Sequence, residues 1–338
     1  MAMTTYGSIS GGTAGKAARK ILDRGQFLMV VERFGQVDPQ PRNSSKTRKF
    51  RRYESLLRAM APLAEGIPPA GQKLTFSDIE CTLEQFGDSV PLTDVIADTH
   101  EDPVLDQIMK ICGEQIAETV ECLRINFLKA GTNVFYASGV ASRTLVSSAP
   151  TRGDFRKIYR SFKRMKAKEI SEIIKPSGMI STEPVRSGYF AMGHTDLDSD
   201  IRGIAGFIPA ENYSSADKAL EGEIGTIEGI RIILTALFEP WLSAGASGTT
   251  YLAGGVAVTG AAACDVYPLL VVARDAYAIV PLQGKEAVKP TVINPGTPSI
   301  TDPNGQMGVV SWLTWQTGCI LNQNWVARLE CAATANPT

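Results

Sequence analysis

Apolar positions change period several times along this chain, and each change marks an element. From Ala14 to about Val31, apolar or small residues recur at Ala14, Ala17, Ala18, Ile21, Gly25 and Leu28, the spacing of one helix face. Phe34-Gly35 ends that pattern, and Val37-Asp38-Pro39-Gln40-Pro41 reads as an extended linker. Two strand-like runs follow, Thr47 to Leu57 and Lys73 to Leu92. In the second, Leu74, Phe76 and Ile79 give way to Thr82, Gln85 and Val90 with charges between them. The intervening Ala61 to Gly71 is rich in Pro and Gly and can continue neither strand. The segment therefore reads as a hairpin with arms of roughly 33 Å, at about ten residues each. Polar residues on both faces leave it little core of its own, so it should lie on something else.

The clearest helix runs from Pro103 to about Ala130. Asp102 is a good N-cap, Pro103 sits where its missing N–H costs nothing, and Gly131 supplies the stop. Leu105, Ile108, Cys112, Ile116, Val120, Leu123 and Phe127 form one apolar stripe along a rod of about 42 Å. Glu114, Glu118 and Glu121 fall off that stripe and should make the exposed flank acidic. A second helix starts at Thr151, with Asp154 completing a capping box. Phe155, Ile158, Phe162 and Met165 are its expected buried face, and Lys163, Arg164, Lys166 and Lys168 complement its C-terminal dipole. After Pro176 the pattern turns β-like, with Gly229 to Thr235 and Tyr267 to Leu282 as the best strands. The tail from Gly308 to Ala332 gives two more, broken at Asn322-Gln323-Asn324 and carrying Trp312, Trp315 and Trp325. Strands and helices do not alternate regularly, so the class is α+β, without an internal repeat.

Composition narrows the function classes. At 338 residues, with 44% hydrophobic positions, the chain can bury a sizeable core. Six scattered cysteines without a C-x-x-C pair read as reduced thiols, and no apolar run reaches membrane-spanning length, so the expectation is a cytosolically folded protein. The net charge of −1 conceals strong segregation. Arg42 to Arg58 holds seven basic residues against one acid, whereas Asp78 to Glu121 holds twelve acids against Lys110. A near-neutral chain is no dedicated nucleic-acid binder, and its separated charges suit a surface that meets a complementary copy of itself. The basic cluster from Lys46 to Arg52 and the helix from Arg152 to Lys168 are the two places where phosphates could be met.

Catalytic motifs fail on their own terms. Gly11-Gly12-Thr13-Ala14-Gly15-Lys16 has Ser10 where a phosphate loop needs its first glycine, and Ala17 where it needs a hydroxyl for magnesium. His194-Thr195-Asp196-Leu197-Asp198-Ser199-Asp200 places three alternating carboxylates beside a histidine. As a calcium loop, however, it has Ile201 and Phe207 in place of the required Gly and Glu. A looser metal site on Asp196, Asp198 and Asp200 is left as a minor alternative. His100 and His194 are the only histidines, and no Gly-x-Ser-x-Gly elbow is present, so the reading is a protein without cofactor or active site.

The order of parts resembles the Hong Kong 97-type fold of tailed-phage major capsid proteins. Phe34 to Pro41, Asn43 to Tyr53, Leu92 to Ile96 and Asp102 to Leu105 are similar to the N4-like branch of that group. So are Gly193 to Leu197, Gly222 to Gly225 and Trp325 to Glu330. The resemblance implies an N-arm over 1–40, an extended loop over 41–92, a peripheral domain over 93–141 and 304–338 with a spine helix, and an axial domain over 142–303. It further implies pentamers and hexamers closing an icosahedral shell around double-stranded DNA, which the protein touches weakly and without sequence preference. Expected partners are a portal and separate scaffolding or decoration proteins, with assembly in the host bacterial cytoplasm and a final place in the virion, not a membrane. Lys46, Arg48, Lys49, Arg51 and Arg52 on the loop would meet Glu114, Glu118 and Glu121 on a neighbour's spine helix. An encapsulin-like compartment of the same fold is the alternative.

Overall fold

The computed structural model describes residues 29–335 except 61, 63–64, 67–70, 95–103, 172–173, 177–181, 185–186, 214–219, 249–250, 255, 258–261, 285–287, 297 and 299–301. Most of the expected N-terminal helix, the glycine-rich segment at Gly11, the Asp102 cap and His100 lie outside the described residues. In chain order, a short strand β1 (Gln36–Val37) precedes the ribbon strands β2 (Thr47–Tyr53) and β3 (Phe76–Thr82), and β4 (Glu84–Thr93) follows. Helix α1 (Val104–Lys129), β5 (Val134–Tyr136) and helix α2 (Arg152–Arg164) come next. A small ribbon, β6 (Ile174–Pro176) and β7 (Thr182–Pro184), leads to β8 (Tyr189–Gly193), helix α3 (Asp198–Arg202), β9 (Ile208–Pro209), β10 (Glu223–Ile227) and β11 (Ile230–Leu234). β12 (Ser247–Gly248) pairs with β15 (Ala262–Ala263), and β13 (Leu252–Ala253) with β14 (Val256–Ala257). The chain ends through β16 (Tyr267–Val272), β17 (Tyr277–Ile279), β18 (Val288–Ile293), β19 (Met307–Gln316), β20 (Gly318–Ile320) and β21 (Val326–Cys331).

One mixed sheet, in the order β5-β21-β16-β8-β11-β10-β9, forms the centre. Every residue of β8 and β16 is buried, as expected of strands covered on both faces. The pleat sends Tyr189, Ala191, Leu269 and Val271 to one side, where Phe155, Ile158 and Phe162 of α2 pack. Phe190, Met192, Leu270 and Val272 go to the other, against Ile125 and Leu128 of α1 and the incoming Val30, Val31 and Phe34. α1 also reaches a second sheet. Met109, Cys112, Ile116 and Val120, in its first two-thirds, cover Val310 and Trp312 of the sheet β18-β19-β4. A 26-residue rod of about 39 Å is long enough to join two cores, and that is its structural role.

Four expectations need correction. The second hairpin arm is two strands parted at buried Leu83; β3 stays with β2, whereas β4 leaves to pair with β19 from Glu84↔Gln316 to Thr93↔Met307. Likewise, Tyr267 to Leu282 divides into β16 and β17, which belong to different sheets. Met165 caps α2 at 48% exposure instead of closing its buried face. Glu121 is fully buried, not part of an exposed acidic flank. β5 and β21 sit in the sheet of β8 and β16, and β18 pairs with β19.

Candidate assembly surface

Alternation along β2 and β3 sorts the hairpin into two faces. Lys49, Arg51 and Tyr53 share one face with their cross-strand partners Glu80, Asp78 and Phe76. Lys49 Nζ lies 2.5 Å from Glu80 Oε1, and Arg51 donates to both Asp78 oxygens at 2.8 and 2.9 Å. The Arg51 guanidinium also stands 4.2 Å over the Phe76 ring. That guanidinium holds the Asp78 carboxyl below the usual carboxylate range, while Glu80 raises the Lys49 ammonium. Arg48 points the other way, donating at 2.6 and 3.0 Å to Asp38 in the linker. The basic run and much of the acid opposite it are therefore neutralised within one subunit. Of the five loop cations singled out by charge, only Lys46 and Arg52 lack an ion-pair partner among the described residues.

Beyond the strands the arms stay zipped. Glu54 N donates to Thr75 O at 3.0 Å, and the Gln72 amide exchanges two hydrogen bonds with the Leu57 backbone at 2.9 and 3.0 Å. This ordered extension displays large apolar side chains. Leu57 and Met60 are each 83% exposed, and Tyr53, Leu56, Leu74 and Phe76 are more than half exposed. The charge pattern drew attention away from them; the available signal was apolar residues flanking a Pro- and Gly-rich tip that has no core of its own. Among the described residues nothing covers this apolar end on either face.

On α1 the three expected acids have different fates. Glu118 is exposed and Glu114 half-buried, whereas Glu121 Oε1 accepts from Val30 N and Val31 N, both at 2.8 Å. Burial pushes the Glu121 carboxyl up despite those two donors. Beside it, Arg124 donates to Glu32 at 2.9 Å, and Tyr277 donates to Val31 O. Glu121 thus hangs the incoming N-terminal chain on the helix and is not free to meet a neighbour. Within the subunit, Gln115 links α1 to the second sheet, donating to Asp88 at 2.5 Å and accepting from Trp312 at 3.1 Å.

The carboxylates after His194 do not converge. Asp196 accepts from Tyr267 at 2.7 Å, Asp198 pairs with Arg202 at 2.9 Å, and Asp200 accepts from Thr334 N at 2.8 Å. His194 Nδ1 accepts from Asp196 N, capping the turn before α3. These residues bind elements of the fold together instead of ligating one ion, so the metal-enzyme alternative loses its site. On α2, Arg152 and Arg156 converge on Glu228 at 2.5 and 3.1 Å, and Lys163 meets Glu169 at 2.6 Å. Arg160, Arg164, Lys166 and Lys168 remain exposed. Among the described residues, no helix is long and apolar enough to cross a membrane.

Known proteins place this surface in context. Residues 77–325 match the family model described as phage capsid protein. No curated protein sequence matches the chain significantly. The capsid of Ralstonia phage GP4 has the same fold at 11% identity and a TM-score of 0.64, covering 90% of this chain and 88% of that one. The capsid of cyanophage P-SCSP1u aligns at 13% identity and a TM-score of 0.56, with the same 90% and 88% coverage. The holo-SrpI encapsulin complex of Synechococcus elongatus PCC 7942 aligns at 12% identity and a TM-score of 0.51, again over 90% and 88%. With three-quarters of its length inside the family model and a capsid fold over nine-tenths of it, the chain belongs to the phage capsid protein family and is a major capsid protein, the structural subunit of a phage shell.

Proposed function

We propose that the β2–β3 hairpin is the extended loop of a Hong Kong 97-type subunit of the N4-like branch, and that it lies over α1 of an adjacent subunit. The observation carrying this reading is the exposed apolar end of an ordered ribbon, Tyr53, Leu56, Leu57, Met60, Leu74 and Phe76. Apolar area supplies the binding, because the loop's cations are mostly neutralised in cis; Lys46 and Arg52 facing Glu114 and Glu118 set orientation. In this reading residues up to about 40 form the N-arm, and the loop narrows to 46–83. β4, β18, β19 and the first half of α1 make the peripheral domain, and the central sheet with α2 makes the axial domain around five- and six-fold axes. Double-stranded DNA fills the shell and meets exposed cations such as Arg160, Arg164, Lys166 and Lys168 without sequence preference. A portal and separate scaffolding or decoration proteins complete the particle, which is assembled in the host cytoplasm.

The test is the double variant Leu57→Asp, Met60→Asp. Both side chains are solvent-facing in the subunit, so folding should be unchanged by circular dichroism while shells disappear from negative-stain micrographs. Normal shells from this variant would defeat the proposal. The likeness to the SrpI encapsulin keeps a second reading in view, a compartment with protein cargo. Nuclease-protected DNA in purified native particles supports the phage reading, and particles with protein cargo and no DNA support the other.

A further inference from the structure

We propose that Cys81 and Cys319 form a closable dithiol at the root of the hairpin, where a small-molecule disulfide installs one intrachain disulfide that staples β3 to β20. Cys81 stands opposite Arg48 on β3, on the hairpin face that turns inward, and Cys319 stands opposite Ala278 on β20. Both belong to one apolar cluster with Leu83, Val280, Leu282 and Trp315. Cys319 packs against the cluster that contains Cys81, and the two thiols interact, which lowers Cys81 and raises Cys319. β3 and β20 touch but belong to separate sheets and share no backbone ladder, so a covalent link would be new restraint at the swing point. At present the described root is fixed by the cluster, by the Arg48–Asp38 pair and by Gln40 donating to Ser45 O at 2.9 Å.

Selectivity follows from the surroundings of the other four thiols. Cys264 donates to Val146 O and Cys331 to Tyr267 O, and burial pushes both thiols up. Burial also pushes up Cys112 and Cys122 on α1. Cys81 alone is shifted down, by its neighbour, whereas Cys81 and burial push Cys319 up; Cys81 is thus the more acidic thiol and partly buried Cys319 the one nearer solvent. One thiolate of the pair attacks a sulfur of the oxidant, breaks its S–S bond and releases a first thiolate. The second protein thiol then attacks the mixed disulfide, closes the Cys81–Cys319 bond and releases a second thiolate. Two cysteine sulfurs are oxidised, the oxidant is reduced to two thiols, and the two cysteine protons end on them.

The chemistry rests on the packing of the two cysteines in one cluster where β3 meets β20; only its consequence, a loop held at its root, rests on the proposed loop assignment. Purified full-length protein is incubated with oxidised glutathione, its thiols are titrated, and peptides are mapped without reduction. The expected result is loss of two of the six thiols and a single peptide pair joined through Cys81 and Cys319. Cys81→Ser should instead accumulate a glutathione adduct on Cys319, and the milder Cys319→Ser should show no bridge while keeping the native melting temperature. Six thiols persisting in the wild type, a glutathione adduct on Cys319 without closure, or a bridge between other cysteines would overturn the proposal. Shell formation is read separately by microscopy, so failure of the bridge and failure of the loop assignment are distinguishable.

Discussion

Arg51 and Arg52 are adjacent in sequence and opposite in consequence. Arg51 makes a fork-to-fork pair with Asp78 and covers Phe76, so Arg51→Glu would set two carboxylates side by side on the ribbon. The expected outcome is faster proteolysis between residues 46 and 83. Arg52 has no ion-pair partner to lose among the described residues, so Arg52→Glu should change stability by less than about 0.5 kcal/mol and lower only the yield of shells. Equal protease sensitivity of the two variants would contradict this division. Glu121 provides a pH-dependent case. Its folded pKa is raised above the ordinary 4.5, so the folded state binds the extra proton and its stability falls as pH rises through the raised value. Glu121→Gln keeps an acceptor for Val30 N and Val31 N without that ionisation. Its melting temperature should therefore gain on the wild type as pH rises above 4.5, whereas Glu121→Ala should lose about 1–3 kcal/mol by orphaning both donors. A pH-independent difference between Gln and wild type would refute the assignment. Charge alone was legible in the sequence at this scale, but partners were not. The alternation of acids and bases could not say that Arg48 reaches Asp38, nor that Glu121 is inside.

Among elements, α1 and the hairpin carry the account. α1 was readable because 26 residues of helical period leave little ambiguity, but its buried face was rotated from the apolar stripe. Glu121 and Arg124 occupy core positions, and a stripe defined by apolar identity passes over buried polar residues that find partners within the fold. The split of the second hairpin arm at Leu83 was illegible for a related reason. β3 and β4 are nearly continuous extended chain with similar composition, and only their partners, β2 and β19, distinguish them. Conversely, the Thr151 and Asp154 capping box was legible to the residue, because its hydrogen bonds are local. Where α1 meets β20, Gly318 allows the strand to press on the helix: a Cβ there would stand 2.1 Å from Phe127 Cε1. Gly318→Ala should cost about 1–3 kcal/mol and lower the melting temperature by several degrees, measured by thermal denaturation. An unchanged melting temperature would show that helix and strand are not in close register.

The subunit as a whole is a two-sided object. Its central sheet is covered on both faces by α1 and α2, whereas among the described residues nothing covers the apolar end of the hairpin. That asymmetry fits membership of a capsid family, whose subunits assemble into a shell. The α+β class was legible from sequence, whereas the order of strands in the sheets was not, since pairing between residues far apart leaves no local pattern. The most direct test of the central claim is a cryo-electron microscopy reconstruction of particles formed by the full chain. Closed shells are expected in which Leu57 and Met60 are buried against α1 of an adjacent subunit. Shells in which those two side chains face solvent, or fold back on their own subunit, would contradict it.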